Sequence, residues 1–280
     1  MLINDLKYFK HNSNYHKKYS GIDNPNKIIS SITDFNQYPI QDFDYKFNSW
    51  AFRGPEYEQY VGQAVNICLG DSYTVNLGGP VEHSWCSELS KNFSIPTINL
   101  GMDGAGNDAM QLVYDRACEV FDVKNTFIMY SYLHRRLENG EFIQTGEYDR
   151  TNFDYFQNHR IHNAIECALP GWCWSESEKT FLNNENIYYF NCPHTGNFAD
   201  FQNCDRQYVD KNSYENLAGP DWPKLADFIN GAEPHPDMFT KQFGQFISRR
   251  IYVNRDGVHL NYITNKIYAD YLYSKWSQDG

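Results

Sequence analysis

The feature that most constrains the fold is a set of short apolar runs, each ending in small, polar or turn-forming residues. Four segments have this form, at 64–69, 96–100, 127–130 and 187–190. Apolar runs of this length that end in a turn are typical of strands buried in a parallel sheet. The sequence therefore predicts four buried parallel strands.

The segments between these runs have a helical period. Trp85, Leu89 and Phe93 recur at helical spacing between the first two runs, and apolar residues do the same at 110–120 before the third. Strands that alternate with helices favour a parallel sheet covered on both faces, with functional groups at the carboxyl ends of the strands. We therefore predict a three-layer α/β/α fold with a flavodoxin-like parallel sheet, closed by a helix over 261–276.

The remaining parts of the chain lack sustained periodicity. Residues 1–60 are rich in Asn, Tyr, Lys and Asp, and we expect an irregular lead-in that packs on the core through its aromatic side chains. Segments 134–186 and 191–248 are predicted to be long loop insertions at the carboxyl ends of strands, where such loops commonly form a lid or a substrate wall. Without an internal repeat or a low-complexity linker, one elaborated domain over 61–280 is preferred to two.

The charge and cysteine content limit the classes of partner. The 280-residue chain has a formal net charge of −11, which disfavours phosphate backbones and anionic lipid, so we expect small molecules or carbohydrate rather than nucleic acid. Its seven cysteines are an odd number, and several lie in apolar runs, so a disulfide framework is not expected.

The N-terminal sequence indicates a cytoplasmic protein. It has basic residues but no apolar core of the length that a signal peptide needs, and no stretch approaches the length of a membrane span. A protein carried in a virus particle or released by lysis would show the same features.

A serine follows directly after the first apolar run, in Gly70-Asp71-Ser72-Tyr73-Thr74. A serine at a tight strand-to-helix turn is exposed at the edge of the sheet, and the start of the helix supplies backbone N–H groups where a tetrahedral oxyanion would develop. Gly70 allows the sharp turn. Ser72 is therefore a candidate nucleophile, although a serine there could equally be only the cap of the next helix.

Two further segments carry groups that a nucleophilic serine needs. After the second run, Gly101 lets a backbone N–H approach a ligand closely. Before the closing helix, His259 can act as a general base while Asp256 orients its other ring nitrogen. Each segment alone is also typical of an ordinary turn or loop. A competing pair, Glu233 and His235, lies among prolines in an apparent loop, and we prefer Asp256 and His259.

Taken in order, these segments resemble the SGNH/GDSL hydrolases. The first block of that family matches the Ser72 turn, its second-block glycine matches Gly101, and its last block, an Asp-x-x-His before the final helix, matches Asp256 to His259. The resemblance spans roughly residues 47–276. It implies that Ser72, His259 and Asp256 form a catalytic triad, and that the backbone N–H groups of Ser72 and Gly101 bind the oxyanion.

The third block departs from the family pattern. Family members usually place an Asn, within Gly-x-Asn-Asp, after the third strand to complete the oxyanion hole, whereas here the third run continues into Ser131 and Tyr132. Either Asn107, from the start of the preceding helix, or Ser131, at the family position, could be the third donor. Because loss of one such donor typically costs about 100- to 1,000-fold in turnover, the departure affects the expected rate more than the mechanism.

Polar residues beside these segments are candidates for substrate binding. They are Asp71, Tyr73, Tyr132 and Arg135. Arg135 and its neighbour Arg136 could bind an acidic group of a substrate, or pair with the excess carboxylates of the protein.

Histidines and cysteines also occur close together in the sequence. They are His159 and His162 with Cys167 and Cys173, and Cys192 with His194. Their spacings fit no compact zinc pattern, so we predict neither a metal site nor a cofactor.

The resemblance implies a serine hydrolase that cleaves a carboxylic ester through an acyl-enzyme. The same residues can remove acyl groups from carbohydrates, lipids and small esters, so they do not choose the substrate. The acidic, aromatic-rich composition favours O-acyl or O-acetyl groups on a glycan or a small ester. Two alternatives remain: an acyltransferase that uses the same serine, and a carbohydrate-binding or structural module, for instance a virus-associated one, whose site has decayed with the third-block Asn.

Overall fold

The structure is a computed structural model that describes residues 7–23, 43–145, 150–190, 256, 258–260 and 262–279. In chain order its helices are α1 (Lys7–Asn12), α2 (Ser72–Val75), α3 (Trp85–Ser90), α4 (Asn107–Val120), α5 (Arg150–Asn158), α6 (Glu176–Asn184) and α7 (Tyr262–Asp279). Its strands are β1 (His16–Lys17), β2 (Tyr45–Lys46), β3 (Ala64–Leu69), β4 (Thr97–Asn99), β5 (Asp122–Tyr130), β6 (Arg135–Glu138), β7 (Glu141–Gln144) and β8 (Ile165–Ala168). Short 3-10 helices lie at Glu58–Tyr60, Val81–His83 and Gly171–Cys173.

The central sheet has four parallel strands in the order β4-β3-β5-β8. Nearly every side chain of β3 is buried, as expected for a parallel strand that is covered on both faces. One of these buried residues, Asn66, is polar, and it accepts a hydrogen bond of 2.8 Å from the Asn125 amide of β5. The buried amide is therefore satisfied within the sheet.

Helices cover both faces of this sheet. The chain passes from β3 to β4 through α3, and then back across β3 to β5 through α4. Because such crossovers are right-handed, the two helices lie on opposite faces. The closing helix α7 packs against α3 and contacts β8. The predicted three-layer α/β/α architecture is therefore confirmed.

The second half of the sheet differs from the prediction. The expected strand at 187–190 makes only one isolated parallel bridge, and the fourth strand is instead β8, inside the segment 134–186. Strand β8 lacks a continuous apolar run because it contains Glu166, whose carboxylate is ion-paired with Arg160. The same segment holds the β6–β7 hairpin, α5 and α6, so the expectation of a long loop insertion there was wrong. The second expected insertion, 191–248, lies outside the described residues.

The described part of the lead-in packs on the core through aromatic side chains. Phe9, Trp50 and Phe52 are buried, and the Phe9 and Phe52 rings meet edge to face at 5.4 Å. The packing places α1 beside the β6–β7 hairpin, where the Lys7 N–H donates to the Gly140 carbonyl at 3.1 Å. Helix α1 and the hairpin can therefore form a wall together. The boundary of the lead-in near residue 60 stays a prediction.

The closing helix is longer than the sequence suggested and extends to Asp279. Tyr268 and Leu272 on its inner side are fully buried. None of the helices in the described ranges is both long and apolar enough to cross a membrane.

Candidate active site

Ser72 is the first residue of the short helix α2, at the carboxyl end of β3. Asp71 caps this helix, because its Oδ1 accepts the Tyr73 N–H at 3.0 Å. The cap is therefore Asp71, which leaves the Ser72 side chain for another role. Ser72 is 5% exposed, and in the described part of the chain its N–H has no hydrogen-bond acceptor. Unpaired N–H groups are a general property of the first turn of a helix.

The structure brings His259 and Asp256 to this serine. His259 Nε2 lies 2.8 Å from Ser72 Oγ, and His259 Nδ1 lies 2.5 Å from Asp256 Oδ2. The other carboxylate oxygen of Asp256 accepts the N–H groups of Val258 and His259 at 2.9 and 3.0 Å. These backbone bonds fix the carboxylate, which in turn orients the imidazole. The competing residues Glu233 and His235 lie outside the described residues.

The protonation of His259 is set by opposing effects. Burial disfavours the charged imidazolium and lowers the pKa of His259, but the Asp256 carboxylate raises it through its charge and its hydrogen bond. The charges of Asp103 and Asp71 raise the pKa further. The net result is a His259 pKa above its usual value, so the imidazole readily holds a proton received from Ser72.

Asp71 is fully buried and links three parts of the site. Besides the Tyr73 N–H, it accepts the Ser131 hydroxyl and the Arg135 guanidinium, both at 2.7 Å. Arg135 also donates to Ser131 Oγ at 3.0 Å. These bonds tie the turn that carries Ser72 to the end of β5. The Asp71 carboxylate is used within the fold, and substrate binding by Asp71 stays a prediction.

The predicted oxyanion donors are also used within the fold. The Gly101 N–H donates to Asn99 Oδ1 at 2.9 Å. The Asn107 amide donates to the Ser131 carbonyl at 3.1 Å and accepts the Ser131 N–H at 2.9 Å, while the Ser131 hydroxyl donates to Asp71. The donors of Gly101, Asn107 and Ser131 hold neighbouring loops together in this structure, and their role in an oxyanion hole stays a prediction. Of the expected oxyanion donors, the Ser72 N–H remains.

Gly101 is needed for packing instead. A Cβ at this position would lie 2.8 Å from Val75 N and 2.9 Å from Thr74 C, both backbone atoms of α2. Only glycine allows the turn after β4 to approach the helix of Ser72 so closely.

Gly104, which the sequence analysis did not single out, lies in a turn closed by the Ala105 N–H and the Met102 carbonyl at 3.1 Å. It adopts a left-handed φ of +82°, and its N–H forms no hydrogen bond within the described ranges. Asp103 beside it acts electrostatically on His259, so the turn lies next to the site. The Asp103-Gly104 pair is a common turn signal that could have indicated this position.

Aromatic side chains line the other side of Ser72. The Tyr73 ring is buried and packs on the His259 ring at 4.6 Å, and its hydroxyl lies 3.3 Å from Cys173 Sγ. Tyr132 is partly buried and stacks under the Arg135 guanidinium at 4.6 Å. Burial raises the pKa of both tyrosines, so both phenols stay neutral. The Tyr73 ring supports the imidazole of His259, and substrate binding by Tyr73, Tyr132 and Arg135 stays a prediction.

The histidines and cysteines considered for metal binding do not meet as a group. Among the described residues there is no cluster of three or more His, Cys, Asp or Glu side chains that could hold a metal ion. His159 Nδ1 instead lies 2.8 Å from the Tyr155 carbonyl. Cys192 and His194 lie outside the described residues.

No protein-family model matches the sequence, and no curated protein matches it either. Several solved structures are similar at low identity. The psychrotrophic esterase EstA from Pseudoalteromonas sp. is 13% identical with a TM-score of 0.33, over 76% of this chain and 98% of that one. A candidate lipolytic protein of the G-D-S-L family from Desulfitobacterium hafniense is 17% identical with a TM-score of 0.30, over 66% and 98%. A member of the lipolytic G-D-S-L family from Veillonella parvula is 15% identical with a TM-score of 0.29, over 47% and 79%.

Proposed function

We propose that the protein is a serine hydrolase that cleaves a carboxylic ester with Ser72 as nucleophile. The observation that carries this proposal is the pair of short contacts from His259, 2.8 Å to Ser72 Oγ and 2.5 Å to Asp256 Oδ2. A hydroxyl, a base within hydrogen-bond reach and an acid that orients the base are the three groups that nucleophilic acyl transfer needs.

In the first half of the reaction, Ser72 Oγ attacks the carbonyl carbon of the ester while its proton passes to His259 Nε2. Asp256 stabilises the resulting imidazolium, which then gives the proton to the departing alcohol oxygen. The C–O bond to the alcohol breaks and an acyl ester of Ser72 remains. In the second half, His259 takes a proton from water, the hydroxide oxygen attacks the acyl carbon, and the proton returns to Ser72 Oγ as the acid leaves.

The developing oxyanion needs donors that the fold does not already use. We propose the N–H groups of Ser72, at the start of α2, and of Gly104, in the left-handed turn after β4. Both lack acceptors among the described residues, and both are backbone donors held by rigid local structure. Without a third-block Asn, the proposed oxyanion hole consists of two backbone N–H groups. Because these two donors still stabilise the oxyanion, we expect a slow enzyme rather than an inactive one.

The hypothesis is tested with p-nitrophenyl esters of increasing acyl length. We expect hydrolysis without any added acceptor, and we expect Ser72→Ala and His259→Ala each to lower kcat on the order of 10⁴-fold or more. The double variant should lose little beyond either single one, because the residues act as a unit. His159→Ala is the matched control: it removes a partly buried histidine that bonds to Tyr155, outside the site, and should leave kcat within about twofold.

A fluorophosphonate probe separates the alternatives. Labelling of Ser72 is expected for an active site and would be lost in His259→Ala, whereas a decayed binding module would not label at all. Acyl transfer only in the presence of a sugar acceptor, without release of free acid, would instead favour an acyltransferase. If His235→Ala abolished hydrolysis and His259→Ala spared it, the base would be assigned to the wrong segment.

A further inference from the structure

A second concave feature adjoins the Ser72 site. It is a cavity of about 420 Å³ between α1, the turn after β4 and the β6–β7 hairpin. Its volume lies within the ~300–1,000 Å³ typical of small-molecule sites. The walls include Lys7, Tyr8, Asp103, Arg135, Glu141 and Phe142.

Two residues that line the cavity, Arg135 and Asp103, also lie near Ser72. Arg135 binds the carboxylate of Asp71, the residue directly before Ser72. The charge of Asp103 acts on His259, and Asp103 precedes Gly104, whose N–H we propose as an oxyanion donor. A ligand in this cavity would therefore lie beside the reacting groups, in the position of one arm of the ester.

Two polar groups in the cavity lack hydrogen bonds. The Tyr8 hydroxyl is buried beside the Asp103 peptide and is without a hydrogen-bond partner in the described part of the chain. The Asp103 side chain is partly exposed and lines the cavity, and the described residues supply its carboxylate with no donor. Buried polar groups are normally paired, so the unpaired Tyr8 phenol at this cavity indicates a ligand that supplies its partner, and the adjacent Asp103 carboxylate can accept hydrogen bonds from the same ligand.

The two cationic groups of the cavity are already paired with carboxylates. The Lys7 ammonium is bonded to Glu141, and the Arg135 guanidinium to Asp71. An ionic ligand would have to compete with these pairs, whereas a neutral ligand with several hydroxyls can donate to Asp103 and bond to Tyr8 without breaking them. The Phe142 ring offers an apolar face of the kind on which the C–H groups of a sugar ring pack.

We propose that this cavity is a subsite for the hydroxyl-rich alcohol part of the substrate, a sugar ring, with Asp103 and Tyr8 as its hydrogen-bonding partners. This assignment rests on the proposed ester hydrolysis at Ser72 and names its substrate class. Asp103 accepts hydrogen bonds from sugar hydroxyls, and the neighbouring Tyr8 hydroxyl bonds to a further hydroxyl of the same ring. The ester oxygen then faces the turn of Gly104.

Binding can be measured apart from chemistry in the Ser72→Ala variant. A panel of methyl glycosides of a hexose, a pentose and an N-acetylhexosamine, together with their O-acetyl esters, is titrated by calorimetry and by saturation-transfer NMR. We expect at least one glycoside to bind. Adding Tyr8→Phe should raise the Kd of that glycoside at least fivefold, because the hydrogen bond from the hydroxyl is lost. The ring still packs against Phe9 and Phe142, so the shape of the cavity is kept. Asp103→Asn should weaken the Kd by at least as much.

The matched control is Tyr60→Phe, which removes a hydroxyl before the N-terminal end of β3, at the opposite end of that strand from Ser72. It should leave the Kd within twofold. The proposal is overturned if no glycoside of the panel binds, if neither Tyr8→Phe nor Asp103→Asn changes the Kd, or if tetramethylammonium or methyl phosphate binds with displacement of the glycoside. Hydrolysis of p-nitrophenyl acetate by the unaltered protein tests the Ser72 chemistry separately, so failure of the subsite and failure of the esterase remain distinct.

Discussion

The turns after β3 and β4 lie side by side; the first carries the fully buried carboxylate of Asp71 and the second the partly buried carboxylate of Asp103. In the first turn, Asp71 accepts hydrogen bonds from the Tyr73 N–H, the Ser131 hydroxyl and Arg135. In the second turn, Asp103 receives no hydrogen bond from the described residues and faces a cavity. The first carboxylate therefore holds the fold together, and the second is available to a ligand.

The glycines of these turns show the same division. Gly101 has its N–H bonded to Asn99 and its α-carbon pressed against the backbone of α2, so it serves packing. The Gly104 N–H has no acceptor among the described residues, and a Cβ built at Gly104 would make only an ordinary contact with Phe142, at 3.7 Å. Residue type alone does not distinguish the closely packed Gly101 from Gly104, the proposed oxyanion donor, whereas the hydrogen bonds of their N–H groups differ.

The largest effect expected from this comparison concerns the two carboxylates. Asp71→Asn keeps the size of the side chain but leaves Arg135 without its anion at a site where the carboxylate is fully buried. We expect the free energy of unfolding to fall by about 3 kcal/mol, as is usual when one partner of a buried pair is removed. Urea unfolding at pH 7 measures this loss.

Asp103→Asn is the matched variant and should behave differently. Burial raises the pKa of Asp103, so the folded state favours the protonated acid. That stabilisation is present at pH values below the pKa of the unfolded chain and is lost as the pH rises through the folded pKa. At pH 7 the amide should therefore be at least as stable as the wild type. If both variants lost the same stability, Asp103 would be a structural residue and the comparison would fail.

A smaller effect is expected for the glycines. Gly101→Ala would place a Cβ against two backbone atoms of α2, and we expect a loss of about 2 kcal/mol together with a lower kcat as Ser72 is displaced. Gly104→Ala meets no atom within 3.4 Å and should cost only about 1 kcal/mol for its left-handed φ. Urea titrations of the two variants side by side measure the difference, and equal losses would show that Gly101 is not a close-packed position.

The sequence predicted those parts of the molecule that depend on local pattern. Apolar runs and helical spacing indicated β3, β4, β5, α3, α4 and the closing helix, because burial on both faces leaves a continuous apolar signal in each strand. The contact of Ser72 with His259 was expected from the order of the segments, although 187 positions separate them. Their role in catalysis stays a prediction.

The features that the sequence did not predict depend on ion pairs and hydrogen bonds between side chains whose pairing is not visible in the sequence. Strand β8 was missed because Glu166 interrupts its apolar run, and the ion pair with Arg160, which stabilises that glutamate, cannot be read from the sequence. Gly101 was expected to donate to the oxyanion. A glycine directly after a strand is required both for such donation and for close packing, so the sequence does not distinguish the two roles. The choice between Gly101 and Gly104 depends on which N–H finds an acceptor, and that follows from the position of the Asn99 side chain.

The smallest expected effect is a displacement of the pH profile of kcat/KM, and it again depends on the difference between Asp71 and Asp103. His259 must be neutral to accept the proton of Ser72, so kcat/KM for p-nitrophenyl acetate should fall as the pH decreases through the pKa of His259 in the free enzyme. Burial lowers this pKa, but Asp256, Asp103 and Asp71 together raise it above the ordinary imidazole value of about 6.5. The acid limb is therefore expected above that pH.

Asp103→Asn removes one of the carboxylates that raise the pKa of His259 while leaving the Asp256 contact intact, so the acid limb should move to lower pH. Asp115→Asn, which removes an exposed charge on α4, is the control and should leave the limb where it is. The measurement is a kcat/KM profile from pH 5 to 9 for each protein. Arg135 is ion-paired with Asp71 and not with Asp103. An unmoved acid limb in Asp103→Asn would therefore mean that Asp103 does not raise the pKa of His259, and the distinction between the two turns would then have to rest on packing alone.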